Sequence, residues 1–199
     1  MKVLVTGFEP FGGETLNPSW EAACRLPDRI GERQIVKEQL PVEFIHAGEK
    51  MKAAFYRERP DTVLCLGQAG GRTGISIERI AVNLMDSEMP DNAGFCPKEE
   101  PVDKNGPDGL FARLPVRALK EALCREGIPA EVSLSAGTYV CNDLLYRLLM
   151  LLKEEGGLGG FIHLPFLPVQ AAGKAGRPSM EMETMVRGLT LLIEELPKL

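Results

Sequence analysis

Three short apolar runs set the frame for this chain. Residues 1–6 (Met-Lys-Val-Leu-Val-Thr) stop at Gly7, Asp61-Thr-Val-Leu-Cys-Leu66 stops at Gly67, and Gly159-Gly-Phe-Ile-His-Leu-Pro165 stops at a proline. Each has the length of a strand and ends at a residue that breaks regular structure. The middle run is continuously apolar, as a strand covered on both faces is. Further strands are expected over 33–40, 75–83 and 130–134. Between the strands, helical spacing takes over. Asn17-Pro18 reads as a helix start, with Asn as N-cap and Pro at the first helical position, and that helix runs to about Leu26. Phe44, Ile45, Ala47, Met51, Ala54 and Phe55 mark a helix over 42–59. Pro115 opens another that ends before Gly127, and an apolar helix pattern begins at about Val140. Ser179 caps a last amphipathic helix through about Leu196, with Met185, Leu189 and Leu192 on its inner face. Strands alternating with helices predict an α/β fold, a three-layer α/β/α arrangement on a largely parallel mixed sheet. No repeat or linker divides the sequence, so residues 1–199 are expected to form one domain.

Composition excludes several classes. Net charge is −5, and no Lys/Arg run exceeds two residues, which argues against a nucleic-acid or anionic-membrane partner. No apolar run approaches a membrane span, and the first strand is too short for a signal-peptide core. The five cysteines are widely spaced and odd in number, with no Cys-x-x-Cys and no His-Glu-x-x-His. A disulfide framework and a metal site are therefore not expected, and the setting reads as reducing and cytoplasmic.

The chemistry points to Ser133-Leu-Ser-Ala-Gly-Thr-Tyr-Val-Cys141. A strand ends there, the chain turns at Gly137, and Cys141 falls in the first turn of the following helix. Free N–H groups and the positive helix end favour a thiolate at such a place, and the same groups hold an oxyanion. His163 lies near the end of the third apolar run. Two readings fit the pair: a catalytic dyad, or a buried structural cysteine beside a hydrogen-bonded core histidine. His46, the second histidine, reads as a surface residue of its helix, and Cys65 as a core residue. The loop Gly67-Gln-Ala-Gly-Gly-Arg-Thr-Gly74 follows a central strand, yet a β-branched strand comes after it rather than a helix. A phosphate-binding role fails on that context. Glu78, in that next strand, is either an edge residue facing water or a buried group with a task. Phe8 and Phe11 stand in a Gly- and Pro-bracketed loop after the first strand, where open α/β sheets bind ligands. Residues 86–109 form a long irregular loop suited to a site wall or lid.

Five blocks together resemble one family. They are Gly7-Phe-Glu-Pro-Phe-Gly-Gly13 with Asn17-Pro-Ser-Trp-Glu-Ala22, Gly67-Gln-Ala-Gly-Gly-Arg72 with Glu78-Arg79 and Ala81-Val-Asn83, Pro90-Asp-Asn92, Ala136-Gly-Thr-Tyr-Val-Cys-Asn142, and Phe161-Ile-His-Leu-Pro165. In collinear order over essentially the whole chain, they resemble the pyroglutamyl peptidase I, or pyrrolidone-carboxylate peptidase, family. The resemblance implies a cysteine exopeptidase that removes N-terminal pyroglutamate from peptides through a thioester, without cofactor or metal. It assigns Cys141 as nucleophile, His163 as general base and acid, and Glu78 as third member. It places Phe8, Phe11, Asn17, Gln68, Tyr139 and Val140 at the substrate, with Tyr139 where phenylalanine is more usual and Val42 and Met89 at pocket-lining positions. It also implies a homo-oligomer, dimer or tetramer. The amphipathic last helix and the Pro-rich residues 165–178 read as candidate subunit contacts, although periodicity does not distinguish an internal from an intersubunit apolar face.

Overall fold

All three apolar runs are strands in the computed structural model, which describes residues 1–197. The elements are β1 (Lys2–Phe8), α1 (Pro18–Arg25), β2 (Arg29–Ile30), β3 (Arg33–Leu40), α2 (His46–Glu58), β4 (Thr62–Gln68), β5 (Ile75–Glu78), β6 (Ile80–Val82), β7 (Gly109–Phe111), α3 (Val116–Arg125), β8 (Ala130–Ser133), α4 (Val140–Glu155), β9 (Leu158–Leu164), α5 (Pro168–Ala171) and α6 (Met182–Glu194). Seven strands form one sheet in the order β2-β3-β1-β4-β9-β5-β8, and β6 and β7 pair separately. The run β3-β1-β4-β9 is parallel, while β2 is antiparallel at one edge. β5 runs against β9 and carries β8 parallel with it. The sheet is mixed and largely parallel, as the pattern of elements implies.

Strand alternation divides the core into two layers. Val3, Val5, Leu64, Leu66, Ile75, Ile77 and Ile162 face α1, α3 and α6. Leu4, Phe8, Val63, Cys65 and Phe161 face α2 and α4. The apolar side of α6 is spent inside this core, where Met185, Leu189, Leu192 and Ile193 are all buried. At about 1.5–3 kcal/mol for each such side chain, it anchors the helix to its own subunit. Met182, Val186 and Leu191 of the same helix are only partly buried.

Among the boundaries that differ from the sequence reading, three do so because another group claims the backbone there. The helix expected from residue 42 begins at His46, after Ile45 at φ 66°. Phe44 N–H is held by Asp91 Oδ2 (2.9 Å) and Ile45 N–H by Asp143 Oδ2 (3.0 Å), which fixes a turn where the helix would have started. The strand expected over 75–83 is two strands in different sheets. Arg79 is the break, its N–H bonded to Ser133 O and its carbonyl to Ala112 N–H. Ser179 does not cap α6, whose N-cap is Glu181. It instead bridges Phe166, with Met180 N–H on Phe166 O.

The strand register positions the site. β1 pairs with β4 only as far as Thr6–Cys65. Beyond that, β1 continues along β3 to Phe8, and β4 continues along β9 to Gln68. The two central strands therefore fork at their carboxyl ends, the position where α/β sheets accept ligands.

Candidate active site

The fork holds a small cavity lined by Phe8, Phe11, Val42, Gln68, Tyr139 and Cys141, with Asn17 and Val140. Its free space is about 10 Å³. That is roughly room for a single water. Phe8, Phe11, Asn17, Gln68, Tyr139 and Val140, the pocket residues expected from sequence, all lie on its wall. Phe8 and Val140 are buried, and Phe11 and Tyr139 half-buried at the mouth.

The polar residues among them act differently from what their side chains suggest. Asn17 caps α1 through Oδ1, which accepts from Ser19 N–H and Ser19 Oγ, while its Nδ2 donates to Glu9 O. Ser19 Oγ in turn takes the Phe8 N–H. A Cβ on Gly7 would lie 2.7 Å from Trp20 Cα, so glycine lets α1 sit this close to β1. The Gln68 side chain is turned to Gln170, whose Nε2 donates to Gln68 Oε1 at 2.8 Å. Its backbone is what faces the fork. Ala69 N–H bonds Leu164 O on the β9 side, so strand alternation directs the Gln68 N–H and C=O toward β1, where pairing has ended.

Cys141 is the second residue of α4, whose N-cap is Tyr139. The N–H groups of Asn142 and Asp143 both close on Tyr139 O. Those of Val140 and Cys141, ahead of them, are the ones a helix start leaves for another acceptor. The sulfur sits in a notch made by Gly67. A Cβ there would stand 3.2 Å from Cys141 Sγ and 2.6 Å from Phe161 Cζ. Gly67 is in register with His163 on β9, so the imidazole rises from the sheet beside the sulfur.

His163 Nδ1 donates to Glu78 Oε1 at 2.7 Å, and its ring packs on Phe161 with centroids 4.7 Å apart. Of the two readings open for Glu78, the buried one holds, with no exposed surface. The antiparallel course of β5 sets Ser76 opposite His163, and Glu78 two residues further on lies diagonal to it on the same face. Arg72 Nη1 meets the same Oε1 at 2.7 Å, and Nη2 donates to Ser135 O. The other carboxylate oxygen accepts no hydrogen bond.

The electrostatics reverse one expectation. Burial pushes the Cys141 thiol up to about 12, and the Glu78 charge adds to it; Arg72 and the local backbone N–H pull down but do not prevail. Burial likewise lowers His163 below its ordinary value, more than Glu78 raises it. Burial raises Glu78 too, but its bond to His163 and the charges around it carry it below the usual carboxylate range. The resting pair is therefore thiol and neutral imidazole, with the carboxylate ionised. The helix start alone does not make a thiolate, because desolvation of the sulfur outweighs it.

Several residues in or next to the sequence blocks acquire tasks that sequence alone did not assign. Asn142 Oδ1 accepts from Val82 N–H, and its Nδ2 donates to Val82 O and Leu84 O, which binds α4 to β6. Asp143 Oδ1 takes Arg147 Nε. Asp91 Oδ1 collects the N–H groups of Ala93 and Phe95, and Asn92 Nδ2 reaches Glu9 Oε1 and Pro10 O. Tyr139 OH donates to Pro90 O, so the long loop is fastened across the mouth of the cavity. Two polar residues in the buried first turn of an otherwise apolar helix were the available signal. Asn142→Ala should cost about 3 kcal/mol in urea unfolding, since three half-buried backbone groups lose a fully buried partner. A loss under about 1 kcal/mol would show the clamp to be dispensable.

His46 is exposed and pairs with Glu43 at 2.8 Å, away from the site. Cys65 is fully buried, as expected of a core thiol. No group of three or more metal-ligating side chains occurs among the described residues.

A family model described as pyroglutamyl peptidase matches residues 1–198. The chain belongs to the pyroglutamyl peptidase family. A pyrrolidone-carboxylate peptidase of Thermococcus onnurineus is 50% identical over 196 residues, covering 98% of each chain. One from Brevibacillus brevis is 48% identical, covering 96% of this chain and 91% of its own. Among solved structures, pyroglutamyl peptidase I from Bacillus amyloliquefaciens superposes with a TM-score of 0.93 at 41% identity, covering 96% of this chain and 92% of that one. A mutant pyrrolidone carboxyl peptidase from Pyrococcus furiosus gives 0.94 at 41% identity, covering 98% of this chain and 97% of that one. Family membership thus makes the chain a cysteine peptidase, and the three-layer fold is the family's own.

Proposed function

We propose that the protein removes N-terminal pyroglutamate from peptides, with Cys141 as nucleophile, His163 as general base and acid, and Glu78 as the group that orients the imidazole. The observation that carries this reading is the seat of Cys141 Sγ over Gly67, beside His163 and at the wall of the forked cavity. Because Nδ1 is committed to Glu78, Nε2 is the nitrogen that meets the thiol. The Sγ–H proton passes to Nε2 as sulfur attacks the pyroglutamyl carbonyl, and the oxyanion is held by N–H groups at the start of α4. His163 then gives that proton to the leaving amine as the C–N bond breaks. Water, deprotonated by the same Nε2, hydrolyses the thioester, and the proton returns to sulfur with release of pyroglutamate. Transfer starts from a neutral pair, so charge develops only during attack, when Glu78 stabilises the imidazolium.

The lactam is a neutral ring with one amide edge. Phe8, Phe11 and Tyr139 supply its apolar walls, and the Gln68 backbone, turned into the fork, matches a lactam N–H and C=O. The pocket side chains include no carboxylate that would capture an ammonium group. Hydrolysis of a chromogenic pyroglutamyl amide should therefore exceed that of the prolyl amide by at least about a hundredfold in kcat/KM, because proline leaves the amide-matching groups unpaired. Comparable turnover of both would sink the pocket assignment.

No helix among the described residues is long and apolar enough to cross a membrane. A reaction that depends on a free thiol suits a reducing compartment, and we place it in the cytoplasm. The proposed assembly is a homo-oligomer. Val169 on α5, 70% exposed, supports the 165–178 segment as its contact.

A further inference from the structure

The reaction just described leaves one charged group in the site without a task. Arg72 comes from the glycine-rich loop after β4 and ties three segments together: its own loop, β5 through Glu78 Oε1, and the turn leading to Cys141 through Ser135 O. Its guanidinium and the imidazole of His163 converge on one carboxylate oxygen, each at 2.7 Å. Its side chain is 24% exposed and that of Glu78 is not exposed at all, so the pair lies at the inner edge of solvent. Resting on the catalytic reading of Cys141, His163 and Glu78, we propose that Arg72 is a positioning residue for the thiol–imidazole pair. It clamps the carboxylate against His163 through a shared oxygen and cancels the carboxylate's charge at the sulfur.

The charge count explains the need. With Cys141 and His163 neutral, Glu78 and Arg72 sum to zero, and attack creates one further pair of opposite charges. Without Arg72 the site would carry an uncompensated buried carboxylate beside a group that must become an anion. The other ionisable groups in the neighbourhood do not fill this role. Cys65 on β4 is a buried thiol, and Glu131 on β8 is engaged by Ser76 Oγ. Arg177 approaches Gly71, with Nη1 3.0 Å from where a Cβ would stand there. Burial raises the thiol and lowers the imidazole. Upon that, Arg72 draws both downward and Glu78 draws both upward. The two charges therefore move both ends of the titrating pair in the same direction, and in opposite senses to one another.

This gives the proposal a signature that a scaffolding role lacks. The active form needs His163 able to accept a proton and a proton still on the pair, so the acid limb of kcat/KM follows the imidazole and the alkaline limb follows the thiol. In the wild type the acid limb should lie below pH 6.5, because folding lowers His163 from that value. Arg72→Gln should displace both limbs to higher pH and cut kcat/KM at neutral pH about tenfold. Arg72→Lys should hold the limbs near their wild-type positions while lowering the plateau, since it keeps the charge and loses the fork. Glu78→Gln should displace both limbs to lower pH. The double variant Arg72→Gln/Glu78→Gln, which leaves no unpaired buried charge, should bring them back toward the wild type, and it stands in if the single arginine variant does not fold.

The test is the pH dependence of kcat/KM for the pyroglutamyl amide in these variants. In parallel, the pH dependence of Cys141 alkylation by iodoacetamide is read from the modified peptide by mass spectrometry. A lowered plateau with both limbs fixed in Arg72→Gln would overturn the proposal, as would acid-ward displacement or a double variant no different from Glu78→Gln. If the wild type hydrolyses no pyroglutamyl amide, the functional reading fails. The alkylation profiles still decide whether Arg72 governs the thiol.

Discussion

Cys141→Ser should lower kcat for a pyroglutamyl amide by on the order of 10⁴-fold or more, with binding of the lactam ring nearly unchanged. Serine has almost the same shape, so the Gly67 notch accepts it. Its hydroxyl, however, is a far weaker acid than a thiol, and the site is built around a resting thiol already held high by burial. His163, lowered by the same burial, is too weak a base to make up the difference. The check is a single-turnover measurement beside a competition assay with 2-pyrrolidone, which has the lactam ring but no amide to a leaving amine. Unaltered kcat in the serine variant would remove Cys141 from the mechanism, whereas loss of pyrrolidone binding would mean that the substitution had disturbed the pocket instead.

His163→Ala should reduce kcat by about 10⁴-fold while the protein remains folded. The nucleophile then has no acceptor for its proton, and the leaving amine has no donor. The fold survives because Glu78 keeps its bond to Arg72 and the main-chain pairing of β9 with β4 does not depend on the side chain. The vacated space is bounded by Phe161, so a cost of about 2 kcal/mol is expected from lost packing. Urea unfolding beside the activity assay separates the two effects. Retention of more than about a hundredth of the activity in a folded variant would place the proton transfer elsewhere.

Much of this architecture is carried by local signals. The three apolar runs became β1, β4 and β9 because a strand buried on both faces has to be continuously apolar, and the chain leaves the sheet one residue beyond Gly7 and Gly67 and at Pro165 to form the loops of the site. Gly137, at φ 80°, turns the chain just ahead of the Cys141 helix, in a conformation that favours glycine. What stayed illegible depends on contacts across long stretches of chain. Glu78 and His163 are 85 residues apart in sequence, and only the antiparallel insertion of β5 puts both on one face. Arg72 gives no signal of its own, because the glycines around it suggest phosphate binding and nothing nearby in sequence shows the carboxylate it meets. The thiol shift runs against the sequence expectation for a related reason: a helix start is visible in a sequence, but the depth at which it is buried is not. Asp91 and Asp143 moved the start of α2 by capturing N–H groups that propensity alone would have given to a helix.

The nearly closed fork has a kinetic meaning. With about 10 Å³ free, the cavity as it stands is too small for a five-membered lactam, so binding requires its wall to move. The wall that has to yield is the half-buried pair Phe11 and Tyr139, whose rings lie 6.3 Å apart, with the latter tethered to Pro90. If the open form is present as a fraction f, the apparent dissociation constant is the intrinsic one divided by f, and the energy for opening comes from ring burial. A ligand that makes few contacts would not supply that energy. The opening cost is common to every ligand, so loosening the Tyr139 tether would raise f and tighten the binding of all ligands of the fork by the same factor.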